Sequence, residues 1–142
     1  MNTKWIKWVF GFSALYDGLL ALVFLLFGAA IFDFFEVPQP NHSGYIHFPA
    51  LLMLVFALMY WRIALDPMKF RVLMPYGMGL KFSYCAVVFG HRITGGIPSM
   101  WLPFAWIDLF SLILFYLSWM EVRKHTLLPE GDKSPISAGV VK

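Results

Sequence analysis

The sequence predicts an all-α integral membrane protein, folded as an antiparallel four-helix bundle. The chain is 60% hydrophobic and only 13% charged, whereas a soluble domain carries roughly 25% charged residues. Four long apolar segments follow one another, separated by stretches that contain proline, glycine and charged residues. Apolar segments of this length are typical of helices that cross a bilayer.

The predicted transmembrane domain covers residues 1–127, and its first span covers residues 5–32. The basic start of this span resembles a signal peptide. However, its apolar part is longer than the roughly 7–15 residues of a signal sequence, and Asp17 interrupts it, so we expect an uncleaved helix. Residues 128–142 are rich in proline, glycine and small polar residues, which predicts a flexible cytoplasmic tail.

Prolines mark the starts of the later spans. The predicted second, third and fourth spans are residues 48–65, 75–90 and 103–121. Pro49 and Pro75 suit the first helical position, where the missing N–H group is not needed. Asp66 and Pro67 end the second span, because the residue before a proline avoids helical geometry.

Lysine and arginine predict the orientation of the bundle. One side of the predicted membrane carries Lys4, Lys7, Arg62, Lys69, Arg71, Arg123, Lys124, Lys133 and Lys142. The other side carries only Arg92. Because positive residues concentrate in the cytoplasm, we expect both termini to be cytoplasmic in a multi-pass protein of the inner (plasma) membrane. The basic residues form no dense patch, so the sequence predicts no nucleic-acid partner.

Ionisable side chains inside the spans are the candidate functional residues, because they usually face a bundle interior. Lys81 lies about six residues from the inner edge, roughly 9 Å deep. It can extend its ammonium to the headgroups, or it can pair with Asp17 at a similar depth. Tyr84 shares the face of Lys81. Asp108 is expected nearer the outer edge, bonded to Tyr84, a backbone group or water.

A stripe of small residues runs along the first span. It consists of Gly11, Ala14, Gly18, Ala21 and Gly28. Small residues at this spacing let helices approach closely, so the stripe predicts a helix-packing face. Asp17 borders this face and is expected to point into the bundle.

Three histidines lie in the two predicted outer loops. His42, His47 and His91 are accompanied there by carboxylates, and such a set can bind a transition metal. A spacing of five between His42 and His47 is not that of a helical ligand pair. We therefore expect solvated loop residues and no metal site.

Four short motifs resemble a known family. "YDGLLAL", "ALDPMKFR", "GLKFSY" and "AWIDLF" are similar to the DoxX-like group of small bacterial four-helix membrane proteins, over residues 5–122. That group includes a quinone-associated subunit linked to thiosulfate oxidation. The resemblance therefore implies contact with redox partners or quinone, and it transfers no catalytic residue.

The sequence contains no recognisable catalytic motif. The first functional hypothesis is a non-catalytic membrane component. It would be either an accessory subunit of a larger complex, such as a redox complex, or a binder of a small amphipathic molecule such as a quinone or a lipid. Its partners would be the bilayer and other membrane subunits or further copies of itself. The alternative is a small proton-coupled transporter, in which Asp17 or Asp108 is protonated and Lys81 is the counter-ion.

Overall fold

A computed structural model describes residues 3–127, which form four long helices and two short 3-10 helices. The long helices are α1 (Lys4–Phe34), α2 (Gly44–Leu65), α3 (Met74–Thr94) and α4 (Leu102–Leu127). Each is long and apolar enough to cross a membrane. The described residues contain no strand. This confirms the predicted all-α, four-helix membrane architecture; the predicted tail, residues 128–142, lies outside the described residues.

The helices alternate in direction, so the bundle has two distinct ends. We call one the basic end; there α1 begins, α4 ends and residues 66–73 connect α2 to α3. We call the other the distal end; residues 35–43 connect α1 to α2 there, and residues 95–101 connect α3 to α4. The short 3-10 helices Arg71–Leu73 and Ser99–Trp101 belong to the connections at the basic and distal ends respectively.

The small-residue stripe of α1 lies against α2. Its members are Gly11, Ala14, Gly18, Ala21 and Gly28. A Cβ atom placed on Gly18 would lie 3.6 Å from the Cβ atom of Ala57, in ordinary contact. A Cβ atom on Gly28 would lie 2.8 Å from Ile46 Cγ2, which is too close. Close approach of the two backbones therefore depends on glycine most strongly at Gly28.

The start of α2 differs from the prediction. The helix begins at Gly44, so Pro49 lies inside it rather than at its first position. The N–H groups of Tyr45 and Ile46 donate to the carbonyl groups of His42 and Ser43, which winds a turn ahead of the proline. Prolines also favour the first turn of a helix, but the sequence does not reveal that a turn precedes this one.

The other predicted boundaries agree more closely with the structure. α2 ends at Leu65, directly before Asp66, and Pro75 lies in the first turn of α3. α3 continues to Thr94, about one turn beyond the predicted end at residue 90. Gly90 does not end the helix, because a glycine weakens a helix without blocking its hydrogen bonds.

The basic half of the bundle is closed by aromatic packing. The rings of Phe10 and Phe115 stack with centroids 4.3 Å apart, and the Tyr60 ring meets Phe115 edge-on at 5.1 Å. The Tyr60 hydroxyl donates to the Gly77 carbonyl at 3.3 Å, which joins α2 to α3. These three rings are fully buried and come from three helices.

The distal half is packed less tightly. Trp101 stacks on Phe24 at 5.9 Å and meets Phe32 edge-on at 6.0 Å. α1 packs mainly on α2 and α3 mainly on α4, whereas α2 and α3 touch each other at few residues. The bundle is therefore two helical hairpins, joined firmly in the basic half and separated by a cavity in the distal half.

We expect Gly77→Ala to destabilise the bundle. The added Cβ atom would lie 2.6 Å from Tyr60 Cε1, inside the closed aromatic cluster, so the ring must move. Overpacking of this kind costs about 1–3 kcal/mol. The measurement is unfolding of the purified protein in mixed micelles of mild detergent and dodecyl sulfate.

The matched control is Gly79→Ala on the same helix, where nothing lies within 4 Å of the added Cβ atom. Its unfolding should match that of the wild type. Equal unfolding curves for Gly77→Ala and Gly79→Ala would show that the aromatic cluster does not close the basic half as described.

Candidate functional site

A buried charge cluster lies between the two halves of the bundle. The Lys81 ammonium on α3 contacts both carboxylate oxygens of Asp17 on α1, at 2.8 and 2.9 Å. It also contacts Asp108 Oδ1 on α4 at 2.7 Å. The side chains of Lys81 and Asp17 are each 98% buried. Lys81 therefore pairs inside the bundle, as one of the two alternatives expected, and does not extend to the headgroups. We call these three residues the charge cluster.

The position of Asp108 corrects the depth estimated from the sequence. Asp108 was expected nearer the outer edge, bonded to Tyr84, the backbone or water, but it contacts Lys81. About one helical turn from Lys81 and Asp108, Cys85 Sγ lies 3.4 Å from the Ala105 carbonyl. This contact shows that Cys85 on α3 and Ala105 on α4 lie at the same height in the bundle.

The physical reason is the shape of the distal connection between these helices. From Cys85, α3 continues for nine residues to Thr94, about 13 Å at the rise of a helix. From Ala105, only three residues separate α4 from its start at Leu102, about 4 Å. The connection therefore descends into the bundle, and Asp108 starts deeper than its distance from the helix end suggests.

The hydrogen-bonding capacity of the charge cluster is used unevenly. An ammonium group has three N–H donors, and Lys81 has three carboxylate oxygens within bonding distance. Asp17 uses both of its oxygens on Lys81, whereas Asp108 uses only Oδ1. Among residues 3–127, no side chain or backbone group donates to Asp108 Oδ2. The cluster thus has one free acceptor and no free donor.

A cavity of about 480 Å³ extends from the charge cluster into the distal half. All four helices and both distal connections contribute to it, and its wall is mostly apolar. The larger aromatic side chains of the wall are Tyr16, Phe24, Phe32, Tyr45, Tyr84, Trp101 and Phe104. Asp17, Lys81 and Asp108 are its charged residues. The Asp108 side chain is 12% exposed, against 2% for Asp17, so Asp108 is the carboxylate that the cavity reaches more openly.

Three tyrosines surround the charge cluster, and sequence reasoning identified only Tyr84. The Tyr84 hydroxyl donates to the Trp101 carbonyl at 3.3 Å, so it fastens the distal connection rather than Asp108. The Lys81 ammonium lies 5.7 Å from the ring centre of Tyr16 and 5.9 Å from that of Tyr60. Aromatic rings at such distances attract a cation.

The Tyr16 hydroxyl is the one buried side-chain nitrogen or oxygen within residues 3–127 that has no hydrogen-bond partner. Buried polar groups are almost always bonded, so an orphan of this kind requires an explanation. Tyr16 lines the cavity, next in sequence to Asp17. That adjacency is the signal by which the sequence could have identified Tyr16, although the sequence prediction did not include it.

The histidines are not part of this site. His42, His47 and His91 are all exposed at the distal end, and His42 Nδ1 accepts the N–H group of Gly44. Over the described part of the chain, no three histidine, cysteine or acidic residues come together in a geometry that could hold a metal ion. The structure therefore does not assemble the candidate metal set.

We expect Lys81→Met to lower the free energy of unfolding by about 3–5 kcal/mol, the usual result of removing one partner from a buried ion pair. The reason is that Asp17 and Asp108 would remain buried together without a positive charge. Unfolding in mixed micelles is again the measurement.

Two further variants interpret the result. The triple variant Asp17→Asn, Lys81→Met, Asp108→Asn removes all three charges and should regain most of the lost stability. Lys7→Met, at an exposed position of α1, should unfold like the wild type. If Lys81→Met also unfolds like the wild type, the three charges do not stabilise one another in the folded bundle.

No protein-family model, curated protein or solved structure matches this chain. The similarity to the DoxX-like group, and the redox or quinone partners that it implies, therefore stay predictions. What the site can do is inferred from its own geometry.

Proposed function

We propose that this multi-pass membrane protein binds a small amphipathic molecule in the cavity above the charge cluster. The observation that carries the proposal is an apolar cavity of about 480 Å³ that ends at buried charged residues. Small-molecule sites are concave, mostly apolar and roughly 300–1,000 Å³ in volume, with a few polar groups that orient the ligand. The cavity has each of these properties.

The cavity also distinguishes binding from a purely structural role. A charge cluster that only holds helices together needs no open space beside it, and its buried oxygens would be expected to be hydrogen-bonded. On the side that faces the basic end of the bundle, Phe10, Tyr60 and Phe115 pack the interior. On the side that faces the distal end, the cluster borders the open cavity. The open side is where we place the ligand.

The hydrogen-bonding groups favour a ligand that donates hydrogen bonds. Lys81 has no N–H group left for a ligand, and Asp108 Oδ2 is a free acceptor. A quinone offers only acceptor oxygens, so it would find no donor in the charge cluster and would depend on a tyrosine hydroxyl of the wall, such as that of Tyr16. Of the amphipathic molecules considered from the sequence, those with an N–H or O–H group therefore fit the cavity better than a quinone.

The two other hypotheses receive less support. A proton-coupled transporter opens to each end in turn, and the described residues show access to the charge cluster from the distal half alone, because Phe10, Tyr60 and Phe115 close the basic half. An accessory subunit needs a surface for its partner, yet exposed apolar side chains occur on all four helices, as contact with lipid requires. Ligand binding rests on a specific feature, so we retain it as the proposal.

A photoreactive probe tests the proposal directly. We expect trifluoromethyl-diazirinyl benzyl alcohol, a small neutral amphiphile, to label Leu20 and Phe24 in the cavity wall when irradiated with the protein in lipid nanodiscs. Excess unreactive 4-phenylbutanol should suppress this labelling, because a cavity saturates and a bilayer does not. Peptide mass spectrometry locates the labelled residues.

The blocking variant is Ala50→Phe, which places a ring in the cavity from a buried position of its wall. It should abolish the labelling of Leu20 and Phe24. The control, Leu58→Phe, adds the same ring on the same helix at a residue that is 68% exposed, and should label like the wild type. Equal labelling of Phe24 in both variants would refute binding in the cavity.

We also propose that the protein lies in a bacterial plasma membrane with its basic end in the cytoplasm. Lys7, Arg62, Lys69, Arg71 and Arg123 lie at or near that end, and positive residues flanking spans are retained there. In a Cys85→Ala background, a membrane-impermeant maleimide added to intact cells should label Gln39→Cys at the distal end. It should label Lys69→Cys only after the cells are opened; the reverse pattern would invert the orientation.

A further inference from the structure

We propose that the ligand of the cavity is a lipophilic monocation, an alkyl- or arylalkylammonium whose N–H group donates to Asp108 Oδ2 while its apolar body lies against the aromatic wall. The inference rests on the proposed binding function and adds the charge of the ligand. Three independent observations support it: the charge balance of the cluster, the free carboxylate oxygen and the composition of the wall.

The charge balance favours a cation. The charge cluster contains two carboxylates and one ammonium, so with all three groups ionised it carries one negative charge in excess. Uncompensated charge is costly at low dielectric. Apart from Lys81, no lysine, arginine or histidine lies in the cavity wall formed by the described residues. A cation entering the cavity would supply the missing positive charge.

The free oxygen fixes where that cation binds. Asp17 is held through both oxygens and is 2% exposed, so it offers no site for a ligand. Asp108 is held through Oδ1 alone and is 12% exposed, which leaves Oδ2 available from the cavity. A hydrogen bond between an ammonium and a carboxylate is among the stronger ones in proteins, because both partners are charged.

The wall suits the remainder of such a molecule. Tyr16, Phe24, Tyr84, Trp101 and Phe104 line the cavity beside the cluster. The faces of aromatic rings attract cations and pack against apolar groups. An anion, by contrast, would meet Asp108 and find no free N–H group on Lys81. The same cavity therefore selects against anions of equal size.

The test uses one apolar body with three headgroups. 4-Phenylbutylammonium, 4-phenylbutanol and 4-phenylbutyrate carry charges of +1, 0 and −1 at pH 7, since an alkylamine has a pKa of about 10 and a carboxylate about 4. Binding is measured by equilibrium dialysis against the protein in nanodiscs of zwitterionic lipid, with empty nanodiscs as the reference. We expect the ammonium to bind at least about tenfold more tightly than the alcohol, because a hydrogen bond between two charged groups is stronger than one from a neutral donor. The carboxylate should not exceed the reference.

Asp108→Asn tests the residue. It keeps an oxygen for Lys81 and removes the excess charge, so the preference for the ammonium over the alcohol should disappear. Glu36→Gln is the matched control, because Glu36 is an exposed carboxylate at the same distal end and outside the cavity wall. It should retain the full preference of the wild type. If Asp108→Asn does not fold, the three probes decide the question on the wild-type protein alone.

The outcomes separate the two proposals. Equal affinity for the ammonium and the alcohol, or tighter binding of 4-phenylbutyrate, would overturn the inference about charge. If the diazirine probe still labels the cavity wall in that case, the binding function stands. If none of the three probes exceeds the reference and the cavity is not labelled, the binding function itself falls.

Discussion

The ammonium of Lys81, held between two carboxylates from different helices, is the interaction on which the rest of this bundle depends. In water such contacts contribute little, but inside an apolar bundle an unpaired charge is prohibitive, so Asp17, Lys81 and Asp108 must meet. That requirement fixes the relative heights of α1, α3 and α4. The remaining helix, α2, contributes no residue to the cluster. Its position is set instead by close packing against the small-residue face of α1.

The two halves of the bundle differ because the chain packs them by different means. The basic half fills its interior with three packed rings, those of Phe10, Tyr60 and Phe115, and a Cβ atom on Gly77 would collide with Tyr60. In the distal half, Trp101 reaches Phe24 and Phe32 from a connection that descends between the helices. That connection covers part of the interior without filling it. The cavity is therefore a result of how the chain enters α4.

The sequence predicted the four helices well, because apolar length and flanking charge are local properties that need no knowledge of partners. It also identified Lys81, Asp17 and Asp108, because charge within an apolar span is visible in the sequence. It failed on two points that depend on three-dimensional placement. Asp108 was assigned a separate height because the descending connection cannot be recognised from composition. Tyr16 and Tyr60 were missed because a tyrosine in a span resembles ordinary packing until its hydroxyl is located.

Asp17 bonds Lys81 through two oxygens and Asp108 through one, and this difference follows from where the two carboxylates lie. It also determines which charge the site attracts. Asp17 borders the face on which α1 meets α2; both of its oxygens contact Lys81 and its side chain is only 2% exposed. Asp108 lies six residues after the start of α4 at Leu102, less than two helical turns from the descending connection, and it lines the cavity. Asp17 therefore takes two of the three donors of Lys81 and Asp108 Oδ1 takes the third, which leaves Asp108 Oδ2 free. The Lys81 ammonium is fully bonded, whereas the Asp108 carboxylate is open to the cavity, so the site attracts positive charge. This selectivity follows from the relative heights of the helices that carry the three charged residues.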